Sequence, residues 1–196
     1  MIPLVLRSGY AFIFWPVFVL WYGAELLGAF LQRSRPVAQR RDRGSNAVLI
    51  GGVVAGIWLG FFLAWNVPAA TIQWHPTVCF AGGIVLMLAG MALRWYAIRL
   101  LGPYFTRAVA VQPDQPLIEA GPYRWIRHPA YTGTLLVCIG VGLALTNWLS
   151  LLAILVLAGL GHGYRVYVEE AALCATLGAR YQEYQRRTKR FIPFVF

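Results

Sequence analysis

An all-α integral membrane fold with about five transmembrane helices is predicted, and three observations predict it. The chain of 196 residues is 59% hydrophobic with only 12% charged residues and a mean hydropathy of +0.61, less charge than a soluble domain carries. The apolar residues gather in long blocks instead of recurring at helix or strand spacing. The 17 basic residues, all arginine except Lys189, collect between those blocks. There the net charge of +10 fits the arginine bias of membrane topology, and a nucleic-acid partner is not expected.

The elements follow in order. Met1 to Arg7 holds a single base, and the apolar run behind it is too long for a cleavable signal, so span one, Gly9 to Leu31, is expected to be retained. It contains Pro16 and Glu25. Five arginines and Pro36 lie between Arg33 and Arg43. Span two runs from Ala47 to Val67 and carries Gly52, Gly56 and Gly60 on one face, a pattern for close packing within the monomer. Span three, Thr77 to Leu101, follows a stretch whose one titratable residue is His75. A polar segment then extends from Gly102 to Pro129. Spans four and five, Tyr131 to Leu145 and Trp148 to Tyr164, are joined by a tight Thr146-Asn147 turn. The last helix is expected to continue past Glu170 to about Arg187, and Pro193 stops any helix beyond. One membrane domain over 1–196 is predicted, with two N-terminal spans in 1–75 and the remainder in 76–196. Five spans place all the arginine-rich loops, 33–43, 107–127 and 180–190, on one side, which puts the N-terminus outside and the C-terminus in the cytoplasm.

Chemistry is sought where polar groups sit beside lipid. Cys79, Cys138 and Cys174, and His75, His128 and His162, lack disulfide or metal-ligand spacing, so no metal is expected. Arg94 and Glu25 lie inside spans, where a charge costs a few kcal/mol and usually pairs; Glu25 is a candidate partner for Arg94. Pro129 forces His128 toward extended backbone and can open the next helix. Arg127-His128 therefore stands at a helix mouth rich in unpaired N–H groups, flanked by Tyr123, Arg124, Trp125 and Tyr131. On the last helix, Arg165 and Glu169 are four apart, His162 shares their face, and Glu170 is adjacent. Tyr181, Tyr184 and the bases from Arg186 to Arg190 suit a tail lying on anionic headgroups. Gly140 and Gly142 sit inside an apolar span and form no dinucleotide loop.

The segments Gly121-Pro-Tyr-Arg-x-x-Arg-His-Pro-x-Tyr-x-Gly133, Asn147-Trp148, Arg165-x-x-x-Glu-Glu-x-x-Leu173 and Gly178-x-x-Tyr-x-x-Tyr184, with the closing Ile192-Pro193, resemble the isoprenylcysteine carboxyl methyltransferase family. The likeness is strong over the C-terminal half and extends faintly to Arg94-Trp-Tyr-Ala. It implies S-adenosylmethionine as cofactor, in a cytosolic pocket formed by the C-terminal half. Carried over by position, Tyr123, Arg127, His128, Pro129, Tyr131, Glu169 and Glu170 would bind the cofactor, and Leu117 and Gly121 would line its approach. Arg165 would fix Glu169 or Glu170, making Arg94, Arg165 and Glu170 the catalytic set. Arg94, with Glu25 and Trp95, would face a lipophilic methyl acceptor. Members acting on prenylated protein termini tend to have an Asn-Phe-Asn-His-like stretch where this chain reads Pro103-Tyr104-Phe105-Thr106. That departure leaves the acceptor open among carboxylate, phenol, hydroxyl and amine. Alternatives are an NADPH-dependent membrane sterol reductase, which shares a His-Pro-x-Tyr region but is longer, and a non-enzymatic lipid-binding protein.

Overall fold

The computed structural model describes residues 3–32, 42–106 and 116–192. The arginines of 33–41 with Pro36, Arg107, and Pro193 lie outside them. The described residues form six α-helices and no strand. They are α1 (Ser8–Gln32), α2 (Ser45–Asn66), α3 (Pro76–Leu101), α4 (Pro129–Ala144), α5 (Trp148–Leu177) and α6 (Ala179–Arg187). Four of them, α1, α2, α3 and α5, are long and apolar enough to cross a membrane. The fourth expected span, α4, has 16 residues and a length of about 24 Å, shorter than a full crossing.

Local chemistry sets the helix ends. Pro76 and Pro129 occupy first-turn positions where a missing N–H costs nothing. Asn147 caps α5 by accepting from the Ser150 N–H at 3.0 Å. The expected continuous helix to Arg187 is corrected here. Gly178, at φ +54, stops α5 with its N–H on the Cys174 carbonyl at 3.0 Å. The chain then turns into α6.

Small residues let the helices approach closely. α3 and α4 run antiparallel, with Gly83 against Gly140 and Gly90 against Gly133. A Cβ at Gly90 would stand 2.5 Å from the Gly133 carbonyl oxygen, and one at Gly140 would stand 2.5 Å from that of Gly83. On α2, Gly52, Gly56 and Gly60 meet Leu157 and Ile154 of α5, the packing within the monomer expected from their spacing. Gly90→Val is therefore expected to cost about 3 kcal/mol, read as a lowered melting point in detergent. Gly82→Val on the same helix, where a Cβ meets nothing within 4 Å, should leave the melt unchanged.

α1 packs outermost. Trp15 stacks on Phe61 of α2 at 5.7 Å, while Phe12, Leu27 and Phe30 face outward, as lipid-facing side chains do. Exposed Trp65, Trp74 and Trp148 mark one end of the bundle, and exposed Trp125 and Tyr167 mark the other, the two aromatic belts of a membrane protein.

Candidate functional site

At the His128 end of the bundle the chain folds back on itself. The turn Gly121–Arg124 starts at φ +57. A Cβ at Gly121 would stand 2.7 Å from Leu100 Cδ1 and 3.0 Å from Tyr96 Oη, so only glycine satisfies both the backbone and the space. Beyond the turn, residues 125–128 lie beside the segment after α6, with Ile126 and Lys189 forming an isolated bridge. The Arg127 N–H donates to the Lys189 carbonyl at 2.7 Å, the His128 N–H to that of Arg190 at 3.1 Å, and the Lys189 N–H to that of Trp125 at 3.0 Å. The Thr132 hydroxyl adds a bond to the Phe191 carbonyl at 2.9 Å. The tail is thus docked through its backbone against the mouth of α4, while the side chains of Arg186 and Arg187 stay exposed. Its docking satisfies N–H groups that would otherwise be orphaned. Tyr181 and Tyr184 of α6 are buried, and the Tyr184 hydroxyl donates to the Tyr123 carbonyl at 2.6 Å.

Two ionic hubs brace this mouth. In the first, the Glu170 carboxylate accepts from Arg127 Nε at 2.8 Å and from Arg190 Nη2 at 2.9 Å, and lies 3.3 Å from His128 Nε2. Arg127 Nη1 further holds the Thr188 carbonyl at 2.5 Å. In the second, Arg165, buried on α5, pairs with Asp42 and donates to Ser45 Oγ at 2.9 Å and to Tyr131 Oη at 2.9 Å. Tyr131 in turn donates to Glu169 Oε2 at 2.6 Å, and Arg165 Nε stands 3.5 Å from the same oxygen. A third pair lies deeper. Arg94 of α3 takes the carboxylate of Glu25 from α1, with Nη2 to Oε2 at 2.9 Å, and gives Nη1 to the Ala130 carbonyl at 3.2 Å.

Between the hubs opens a cleft of about 110 Å³. Its walls include Leu117, Tyr123, Arg127, His128, Tyr131 and Glu169. Tyr104, Phe105, Tyr181 and Tyr184 complete an aromatic lining. Burial pushes the phenols of Tyr123, Tyr181 and Tyr184 well above the ordinary tyrosine range, with Glu169 adding to the effect at Tyr123 and Tyr181. They are neutral donors at any physiological pH and do not serve as bases.

Of the residues expected from sequence, Leu117, Tyr123, Arg127, His128, Tyr131 and Glu169 meet on the cleft. The others do not. Glu170 is buried behind the wall, its oxygens held by two arginines, because adjacent positions on a helix point about 100° apart. Pro129 starts the helix beneath the cleft, and Gly121 packs against Leu100 and Tyr96 rather than lining it. Arg165 braces Glu169 from the far side. Trp95 is exposed on the flank of α3 while Arg94 is buried, so the two do not share a surface. Glu25 does pair with Arg94, as expected. His162 meets the Arg165 hub only through its ring, edge-on to Tyr131 at 5.6 Å; its Nδ1 meets the Ala158 carbonyl at 2.7 Å and its Nε2 is buried without a hydrogen-bond partner among the described residues. Sequence reasoning missed Asp42 and Arg190. Asp42 accepts from the Ser45 hydroxyl at 3.1 Å just before α2, and an acid before an apolar run is the helix-start signal that marks it. Among the described residues no cluster of side chains could hold a metal ion.

Residues 83–175 match the model of the isoprenylcysteine carboxyl methyltransferase (ICMT) family. The chain is 30% identical over 142 residues to a protein-S-isoprenylcysteine O-methyltransferase of Tribolium castaneum, covering 70% of this chain and 49% of that protein. It is 32% identical over 120 residues to the Saccharomyces cerevisiae protein of the same name, covering 60% of this chain and 50% of the relative. It thus spans about half the length of these relatives. Among solved structures it is similar to the eukaryotic intramembrane Ras methyltransferase ICMT, at a TM-score of 0.64 and 26% identity, covering 91% of this chain and 64% of that one.

Proposed function

The chain belongs to the isoprenylcysteine carboxyl methyltransferase family, and from that premise we propose that it methylates the carboxylate of a prenylated cysteine, with S-adenosylmethionine as donor, at the cytoplasmic face of a membrane. The observation that carries this reading is adjacency. Ala130 lines the cleft, and its carbonyl is held by Arg94, so a site suited to the donor abuts a buried cation suited to an acceptor carboxylate.

The cleft fits an adenosyl sulfonium in its chemistry. Glu169 presents a carboxylate whose Oε2 is taken by Tyr131 and whose Oε1 has no partner among the described residues. It can accept from ribose hydroxyls and attracts a cationic sulfur. His128, tied through Nε2 to Glu170, stacks on Tyr131 at 5.5 Å. Tyr104, Phe105 and Tyr181 offer rings to an adenine. When bound, S-adenosylmethionine supplies an electrophilic methyl carbon on sulfur. A carboxylate acceptor is already deprotonated, so no residue has to act as general base. What remains for the protein is alignment and exclusion of water. Arg94 orients the acceptor, the Arg165 hub fixes Glu169 and Tyr131, and the lipid-facing helices keep the approach dry. Among the described residues Arg124, Arg127, Arg187, Lys189 and Arg190 lie at the His128 end of the bundle, which supports placing that end in the cytoplasm.

Isothermal titration of the detergent-solubilised protein with S-adenosylhomocysteine tests the donor site. Binding is expected, and Glu169→Gln should weaken it by about tenfold through loss of one charge-assisted bond. A wild-type protein that ignores S-adenosylhomocysteine would refute the reading.

A further inference from the structure

Arg94 already has its charge balanced, and three of its five N–H donors are engaged. Nε and Nη2 grip the two oxygens of Glu25, and Nη1 holds the Ala130 carbonyl. A guanidinium fork takes one carboxylate in bidentate fashion. A second carboxylate on the same buried cation would leave an uncompensated negative charge, so an acceptor carboxylate gains most by displacing the one already there.

The two members of the pair are not held equally. Arg94 sits on α3, locked against α4, and its side chain is 9% exposed. Glu25 comes from α1, of which only 11% of the central window is buried, and its side chain is 23% exposed. Glu25 is thus the more accessible member, on the side from which a long charged side chain can reach toward the inner headgroups. It also lies outside the family-matched residues 83–175.

We propose that Glu25 is a resident competitor for Arg94, displaced by the acceptor's carboxylate and returning once the ester has formed. The inference rests on the carboxylate-methylation reading above. Charge accounts for both halves of the cycle. The incoming carboxylate replaces Glu25 like for like, so Arg94 never stands unpaired in a low-dielectric setting, where an uncompensated charge is costly. Neutral lipids bring no charge and cannot make the exchange. Methylation converts the acceptor from an anion with two equivalent oxygens into a neutral ester. The ester holds the fork weakly, and Glu25 takes it back, which releases product. Glu25 therefore acts through Arg94 as a specificity-determining residue and is never a base.

The test uses the full chain in detergent, loaded with S-adenosylhomocysteine for binding and with S-adenosylmethionine for turnover. The probes are an N-acetylated S-prenylcysteine and its methyl ester. Glu25→Gln removes the competitor's charge. It is expected to tighten carboxylate binding about tenfold, since the competent state is no longer a minority, with KM falling in step. The ester should inhibit more strongly and kcat should fall, while affinity for S-adenosylhomocysteine stays the same. Unchanged or weaker carboxylate binding in a variant that still binds S-adenosylhomocysteine normally would overturn the proposal and leave Glu25 a structural pin. If Glu25→Gln fails to fold, Glu25→Asp keeps the charge with a shorter reach and should tighten the carboxylate by a smaller factor; no tightening there overturns it equally. Wild-type turnover of the carboxylate separates this outcome from failure of the functional reading, because turnover persists when only the competitor idea is wrong.

Discussion

Glu170→Ala is expected to lower the unfolding midpoint of the solubilised protein by roughly 10 °C and to abolish binding of S-adenosylhomocysteine. The carboxylate is 7% exposed and serves three partners. Arg190 is half exposed and can return to water. Arg127 and His128 cannot, at 9% and 3% exposure. Truncation leaves a buried guanidinium without its counter-charge, a loss of about 3–5 kcal/mol. The same carboxylate fixes the His128 ring, which forms a cleft wall, so the binding surface fails together with the fold around it. Glu170→Gln keeps oxygen and volume and loses the charge, and its midpoint should fall between those of wild type and alanine. A melt and a titration on each variant decide the matter. An alanine variant within 2 °C of wild type that still binds would show the hub to be dispensable.

Arg94→Ala is expected to do the opposite: cofactor binding within about twofold of wild type, and kcat/KM for the carboxylate acceptor down about 100- to 1000-fold. Arg94 does not line the cleft. It touches it through the Ala130 carbonyl alone, so S-adenosylhomocysteine should hardly sense its removal. An acceptor carboxylate, by contrast, loses the buried cation that positions it. Arg94→Lys should not rescue, since an ammonium cannot present two parallel donors and hold the Ala130 carbonyl as well. If Arg94→Ala loses cofactor binding as severely as Glu170→Ala does, donor and acceptor are not handled by separate residues.

The apolar helices were legible because hydropathy and arginine placement are written in consecutive residues; α1 to α5 each begin within two residues of the expected start, while the break before α6 was not foreseen. The α4 mouth was legible through Pro129, which opens the helix as expected, although His128 before it, at φ -123 and ψ 55, is not extended. Partnerships across the chain were harder. Asp42 and Arg165 are 123 positions apart, and no local spacing announces such a pair. Adjacent residues misled in another way: Glu169 and Glu170 read as one carboxylate pair, and Arg94-Trp95 as one surface, although a helix turns neighbours to different faces. Glu169 faces the cleft and Glu170 the tail. The tail itself read as a membrane-surface segment because its basic residues hide the backbone pairing with residues 125–128 that fixes it.

That pairing has a consequence for biosynthesis. A membrane protein is threaded into the bilayer in chain order, and the early helices can be inserted while the tail is still within the ribosome. The cleft cannot be finished then, because Thr188, Lys189, Arg190 and Phe191 are needed to hold Arg127, His128, Thr132 and Glu170 in place. Until translation has passed them, the nascent protein has an open, unbraced mouth, and the cleft takes its final form only after the helices before it are made.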